Sequence, residues 1–421
     1  MLVEILKKQL LNVKVIICFV VCLLFFGVSI FSGITPNIVY QDALAEFFPN
    51  GYTTADKIRI LKEIALNVPL DDKYYEVFDE KYREYVDIHA YSDEKILENF
   101  REDGYSVSLK EVGKLKYNPE YYPFVFPKNP GEDHYESTIM LRFWFSHQLE
   151  LKGFTDIDGM ISDEIRWFEM LGYSEEWIFA AVEHMHKQFD DNLIYDGYKL
   201  GYSIYTGSHM FLTATLGIFL VFCTYDIFSD DKKTRVINIV GASKRRKQLF
   251  VSKIAAIILI SVGAFAIFEV TNYLICSSYF GMGDASATAI TSSRTTLDHL
   301  SVFRQATLTT ITNLFGAIVT GLVLSLLSSK FGNKSSFVLG ILWVLTTFLF
   351  AYNIRYYLAD KGMHMLNPLS LLGNIYGYGS YAYVLLFGIF TPLILISIVI
   401  GIISIVIAII VNKRSFNKSI S

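Results

Sequence analysis

Six long apolar runs constrain this chain more than any other feature. A bilayer core of about 30 Å needs roughly 20 apolar residues per helix. The runs at 15–34, 208–228, 254–276, 306–329, 335–352 and 382–411 are of that order. The first, VIICFVVCLLFFGVSIFSGI, follows Lys7, Lys8 and Lys14 as the core of a signal peptide would. It is longer than such a core and has no small-residue cleavage site, so it reads as an uncleaved anchor. The last run spans 30 residues with Pro392 inside it. Proline removes a backbone donor and kinks a helix, so a short re-entrant piece followed by a true span is expected there. The fold class is an α-helical polytopic membrane protein with six transmembrane helices and a mainly α-helical extracellular domain.

Charge is divided as unevenly as hydropathy. Residues 35–206 hold 33 Asp and Glu against 17 Lys and Arg, and the rest holds 8 against 20, which together give the overall −4. An acidic, water-facing block is therefore set into a basic, membrane-embedded frame, which excludes a soluble enzyme, a fibrous protein and a disordered chain. Lys7, Lys8 and Lys14 precede the first run, and Lys413, Arg414 and Lys418 follow the last. Between the second and third runs lie Lys232, Lys233, Arg235, Lys244, Arg245, Arg246 and Lys247, and between the fourth and fifth Lys330 and Lys334. The alternate loops are poor in bases. The positive-inside rule then places residues 1–14, 229–252 and 412–421 in the cytoplasm and 35–206 outside. Cys18, Cys22, Cys223 and Cys276 all fall within apolar runs. An exposed block without cysteine needs no oxidising compartment, which suits the plasma membrane of a Gram-positive bacterium.

The outer block reads as a series of helices. TTADKIRILKEIALN offers threonine caps before apolar 3–4 spacing, and DDKYYEVFDEKYREYVDIHAY and SDEKILENFRED open with acidic turns. YNPEYYPFVFPKNPG breaks the pattern with four prolines. MLRFWFSHQLEL, SDEIRWFEMLG and SEEWIFAAVEHMHKQF resume it.

The chain holds no phosphate-binding GxxxxGK[ST] loop, nucleophile elbow, HExxH or dinucleotide fingerprint. The chain is thus expected to be no enzyme and to carry no cofactor, with any ATP bound by a partner. The most metal-like cluster is Glu183, His184, His186, Asp190 and Asp191. His186 and Asp190 share a helix face, whereas His184 and His186 do not. The cluster reads either as a divalent site or, more commonly for such spacing, as a solvated polar face. Glu269 stands inside the third run with Asn272 close by, about 24 Å along the helix from Lys253. A carboxylate there is costly. Either it lines a translocation path or pairs with Arg294, Arg304 or Arg355, or it lies close enough to the interface to be hydrated.

The segment YDIFSDDKKTRVINIVGASKRRKQLFVSK is too long for a tight turn. It reads as a short helix, a break at Gly241-Ala242-Ser243 and a basic helix entering the third run. Contact with lipid headgroups accounts for the bases. It leaves unexplained the apolar Val236, Ile237, Ile239 and Val240, which an amphipathic helix would bury in a partner's groove.

This segment, with its acidic residue near the span end, short helix, Gly-Ala-Ser and basic cluster, resembles the coupling segment of bacterial ABC exporter permeases. Six spans and the NPLSLL stretch from Asn367 to Leu372 are similar to the type-2 permease family over residues 208–421 and the first span. The resemblance implies a membrane subunit paired with a separate cytoplasmic ATPase and with a second permease chain. It implies ATPase coupling through Val236, Ile237, Ile239, Gly241, Ser243, Arg245 and Arg246, and a path past Glu269 and Asn272. TRVINIVGASKRRKQLF is also similar to FtsX- and MacB-like permeases, which have an outer domain between their first two spans. Those have four spans, and tend to carry Glu where Val236 or Ile237 stands here. The alternative function is accordingly an FtsX-like signalling or mechanotransmitting protein. The acidic, tyrosine-rich outer block is expected to meet a cationic peptide, either exported cargo or a toxin.

Overall fold

The computed structural model describes residues 1–31, 55, 58–59, 62, 68–69, 72–118, 121–126, 157–170, 172–191, 195–196, 198–229, 245–287, 300–353, 367–372 and 383–418. Two helices open the chain, α1 (Leu2–Leu10) and α2 (Val13–Ser29), with a 64° bend between them. The bend falls at Asn12, whose side chain accepts from the Lys14 N–H at 3.0 Å and caps α2. The lysines Lys7 and Lys8 keep one face of α1 polar, while Ile5 and Leu6 pack into the bundle.

The outer block contributes α3 (Asp72–His89), α4 (Asp93–Glu102), α5 (Leu109–Leu115), α6 (Tyr122–Val125), α7 (Ile157–Met170) and α8 (Glu175–Asp191). Strands β1 (Val68–Pro69) and β2 (Tyr195–Asp196) pair antiparallel. Ser92 caps α4, and Ser108 with Glu111 forms a reciprocal capping box on α5. Tyr82, Ile96, Phe100, Val112 and Phe126 are buried, and Phe100 stacks on Phe124 at 4.5 Å. The helix expected over 53–67 and that over 140–151 lie largely outside the described residues.

Among the described residues, four segments are long and apolar enough to cross a membrane: Leu200–Thr224, Lys247–Phe280, Val302–Lys330 and Leu393–Asn417. The bent α1–α2 pair makes a fifth if it counts as one span. The first segment comprises α9 (Leu200–Ser208), a 3-10 turn (His209–Phe211) and α10 (Leu212–Thr224). It starts ahead of the apolar run at 208–228, because Ser203, Tyr205 and Ser208 dilute its hydropathy while facing inward or half-inward. Next come α11 (Arg246–Ile275), continued by a π turn to Phe280, and α12 (Val302–Lys330). Helix α13 (Asn333–Asn353), the expected fifth span, has 21 residues and is shorter than the four. The last helix is α14 (Leu393–Lys418).

Burial ranks these helices. The Leu200–Thr224 segment is 72% buried and the Leu393–Asn417 segment 22%, so α9–α10 is the axis of the bundle and α14 its outer stave. Lipid tails are as apolar as leucine, so close backbone approach matters more than hydrophobicity in holding such helices together. Gly217 of α10 is one such point: a Cβ there would lie 2.9 Å from Val344 of α13.

The apolar run at 382–411 is not a re-entrant helix followed by a span. Its first part is a β-hairpin, β3 (Tyr383–Leu386) paired antiparallel with β4 (Ile389–Pro392), and α14 follows without a linker. Phe387 and Gly388 both have positive φ, as a two-residue turn of the primed type requires. The hairpin satisfies part of its backbone within itself and leaves Pro392, which has no N–H to give, at its end.

Candidate functional site

Two constellations stand at opposite ends of the bundle. At the end carrying Arg245, Lys330 and Lys413, the chain enters and leaves the segment expected to couple to an ATPase. Val236, Ile237, Ile239, Gly241 and Ser243 lie outside the described residues. Arg245 is exposed and precedes α11, and Arg246 is the first residue of that helix. The two roots of the segment are bound to one another. Ile227 and Phe228 on one side, and Leu249 and Phe250 on the other, share a buried cluster with Leu322, Ala408 and Phe416. Phe228, Phe250 and Phe416 form a triangle of rings at 5.8–6.5 Å.

Polar contacts fix the same knot. The Lys253 ammonium donates to the Ile227 carbonyl and lies 5.1 Å from the Phe228 ring, with the residue only 3% exposed. Gln9 of α1 donates to Asp226 at 3.1 Å, and the Ser328 hydroxyl of α12 accepts from the Phe228 and Ser229 N–H groups. Ser415 donates to the Ser329 carbonyl at 2.7 Å and Asn412 to Ser325 at 2.8 Å, which staples α14 to α12. A force on either root is thus felt by α1, α10, α11, α12 and α14 together.

The other constellation surrounds Glu269, the one carboxylate within the four spanning segments. Its side chain is 14% exposed. Tyr205 of α9 donates its hydroxyl to one carboxylate oxygen, and Thr310 of α12 donates to the same oxygen at 2.9 Å. His209 Nε2 lies 3.0 and 3.1 Å from the two oxygens, with a side chain of 0% exposure. Three elements thus converge on a fourth, α11. Of the expected arginine partners, Arg304 is exposed on α12, and Arg294 and Arg355 lie outside the described residues. A histidine presented from the axial segment reaches the carboxylate.

Asn272, one turn further along α11, is fully buried. It donates to the Tyr205 carbonyl at 3.0 Å and accepts from Ser208 at 2.8 Å. Asn272 and Glu269 therefore grip the same stretch of α9. An ionisable group held in this way in an apolar bundle is expensive, and its partners mark where function concentrates. Tyr205, His209 and Thr310 were absent from the sequence reading. For Tyr205 and His209 the only sequence signal is a cluster of polar residues, SIYTGSH, at the head of an apolar run, and Thr310 lies inside the run at 306–329.

The NPLSLL stretch lies between these two ends as a plug. Asn367 caps a 3-10 turn over Pro368–Leu371 and donates to Thr347 of α13 at 2.8 Å. Thr213 of α10 donates to the Leu372 carbonyl. Leu369, Leu371 and Leu372 are fully buried, and Gly316 of α12 leaves room for their backbone: a Cβ there would meet the Leu371 carbonyl carbon at 2.5 Å.

In the outer block, His184 is turned onto the hairpin, 5.0 Å from the Tyr383 ring and 5.7 Å from Phe390. Glu183 and His186 are exposed on other faces of α8. Among the described residues no three His, Cys, Asp or Glu side chains converge as a metal site would need, and the Asp190 and Asp191 side chains are not among them. Trp177 donates its indole N–H to the Tyr383 carbonyl at 3.3 Å and packs with Phe168, Ala181 and Met185 around the hairpin. Comparison with family models, with curated proteins and with solved structures finds no match to this chain.

Proposed function

We propose that the chain is the six-span permease subunit of a bacterial ABC exporter, driven by a separate cytoplasmic ATPase and paired with a second permease chain. The observation that carries this reading is the knot at the roots of residues 229–252. A docking segment is useful only if its displacement reaches the spans, and here both of its roots are tied to five helices. The segment's apolar residues Val236, Ile237 and Ile239 are the contact expected in an ATPase groove. Closure of the ATPases on ATP would move the knot. The spans would then rearrange around the Glu269–His209 pair and Asn272, which we place on the path of an amphipathic or peptidic cargo.

A second reading has its own observation. Helix α14, 26 residues and about 39 Å long, runs from Phe416 in the knot to a hairpin clamped by Trp177 and His184 of the outer block. A rigid stave between the driven end and the outer domain is what a mechanotransmitting protein needs. Affinity purification from native membranes separates neither reading from the other but tests their shared premise. An ABC ATPase should co-purify in stoichiometric amount, and its absence would leave both without a motor. ATP-dependent uptake of cargo into inverted vesicles, against activation of a cell-surface partner, then separates them.

A further inference from the structure

The hairpin has two faces, and the described residues cover them unequally. Register pairs Tyr383 with Pro392 and Leu385 with Phe390 on one face, and Val384 with Thr391 and Leu386 with Ile389 on the other. Tyr383, Leu385 and Phe390 pack against α7 and α8 of the outer block. On the opposite face Val384 packs with Leu393 of α14. Beyond it Leu386 and Ile389 stand open, and Phe387 at the tip is completely exposed.

Water is a poor match for that face. No Asp, Glu, Lys or Arg occurs between Lys361 and Lys413. A side chain as bulky as phenylalanine at positive φ is uncommon, and here it is spent on placing an apolar ring at the outermost point of a turn. The open face is continuous with the lipid-facing side of α14, where Leu395, Val399, Ile402, Ile403 and Val406 are each about half exposed. The strands are about 13 Å long at 3.3 Å per residue. A two-stranded hairpin cannot pair its own outer edges, which disfavours burial in the hydrocarbon core and allows the headgroup level.

We propose that the hairpin at 383–392 lies on the outer leaflet, with Leu386, Phe387 and Ile389 inserted among lipid headgroups and upper acyl chains and the outer block seated on its other face. The hairpin is then a lipid-anchored saddle that fixes the outer domain at the membrane surface beside the last span. This rests on α14 crossing the bilayer and is independent of what the protein transports.

The test uses the full chain, freed of Cys18, Cys22, Cys223 and Cys276, with Phe387→Cys carrying an environment-sensitive nitrobenzoxadiazole label. The protein is reconstituted in nanodiscs of phosphatidylcholine and phosphatidylglycerol. A label on Glu102→Cys, exposed on α4, is the aqueous control. Emission from residue 387 should be blue-shifted, quenched by lipid spin-labelled near the headgroup, and shielded from iodide relative to residue 102. Ile389→Cys should behave as Phe387→Cys does, and it stands in if the tip variant fails to fold. Iodide quenching equal to that of the control, without quenching by spin-labelled lipid, would overturn the proposal. Self-quenching that disappears on dilution with unlabelled protein would put a second copy on this face and overturn it equally.

Discussion

The two ends of the bundle are built from opposite materials. The end at the coupling segment is closed mainly by rings and aliphatic side chains, Phe228, Phe250, Phe416 and Ile227, with polar contacts from Lys253, Gln9, Ser328, Asn412 and Ser415 beside them. The other end is closed by a carboxylate, an imidazole, a phenol and a hydroxyl, each from a different turn of the fold. Apolar contacts are non-directional and survive small displacements. A buried hydrogen-bonded network has few good geometries and is costly when partly broken. The first end is suited to passing on a push, and the second to switching between arrangements.

The largest expected effect breaks the polar end. Glu269→Ala leaves His209, Tyr205 and Thr310 without their common acceptor, and removing one member of a buried pair costs about 3–5 kcal/mol. Thermal unfolding in detergent should show that loss, and transport should stop. Glu269→Gln, which keeps an acceptor oxygen, should recover much of the stability; equal loss in both variants would mean that the site matters by shape alone. At the other end, Lys253→Met keeps the apolar stem and withdraws the donor from the Ile227 carbonyl, at about 1–3 kcal/mol. ATPase stimulation should fall while hydrogen exchange around Thr310 is unchanged. Faster exchange at Thr310 in this variant would show that the two ends are not separate units.

Thr310→Val removes one of three donors to Glu269, and about 0.5–1.5 kcal/mol is expected from the unfolding midpoint. A loss as large as that of Glu269→Ala would make Thr310 the keystone instead. The smallest effect lies in the outer block. Two hydrogen bonds from Ser108 hold the exposed Glu111 carboxyl below the usual carboxylate range. Its contribution is therefore present above the unfolded-state value of about 4.3 and is lost as pH falls through the lower folded value. Acid titration followed by amide exchange should loosen the first turn of α5, and Glu111→Gln should remove that pH dependence.

The long apolar helices were legible in the sequence, and the partners of Glu269 were not. Apolar length alone located α2, α10, α11, α12 and α14, because a spanning helix must be apolar throughout. Glu269 was conspicuous because charge is costly in that setting. Its partners were not, since Tyr205, His209 and Thr310 are 64, 60 and 41 positions away and each is unremarkable in its own segment. The hairpin escaped for a related reason. An apolar run covered on one face by protein and open to lipid on the other has no alternation from which strand can be told from helix. Helix α9 escaped because its inward polar side chains dilute the hydropathy, so the apolar run begins only at 208 and the preceding residues fall within the acidic block.

The central claim is that residues 229–252 are where an ATPase drives this bundle through the knot at their roots. Its most direct test is the Val236→Asp, Ile237→Asp, Ile239→Asp variant, purified in nanodiscs with the partner ATPase co-expressed. Burying each of these side chains is worth roughly 1.5–3 kcal/mol, and a charge in the same groove is worse than exposure. The account predicts that the ATPase is lost from the triple variant while the membrane part elutes and melts as the unmodified chain does. A variant that keeps its ATPase and its full ATP-dependent activity would contradict it.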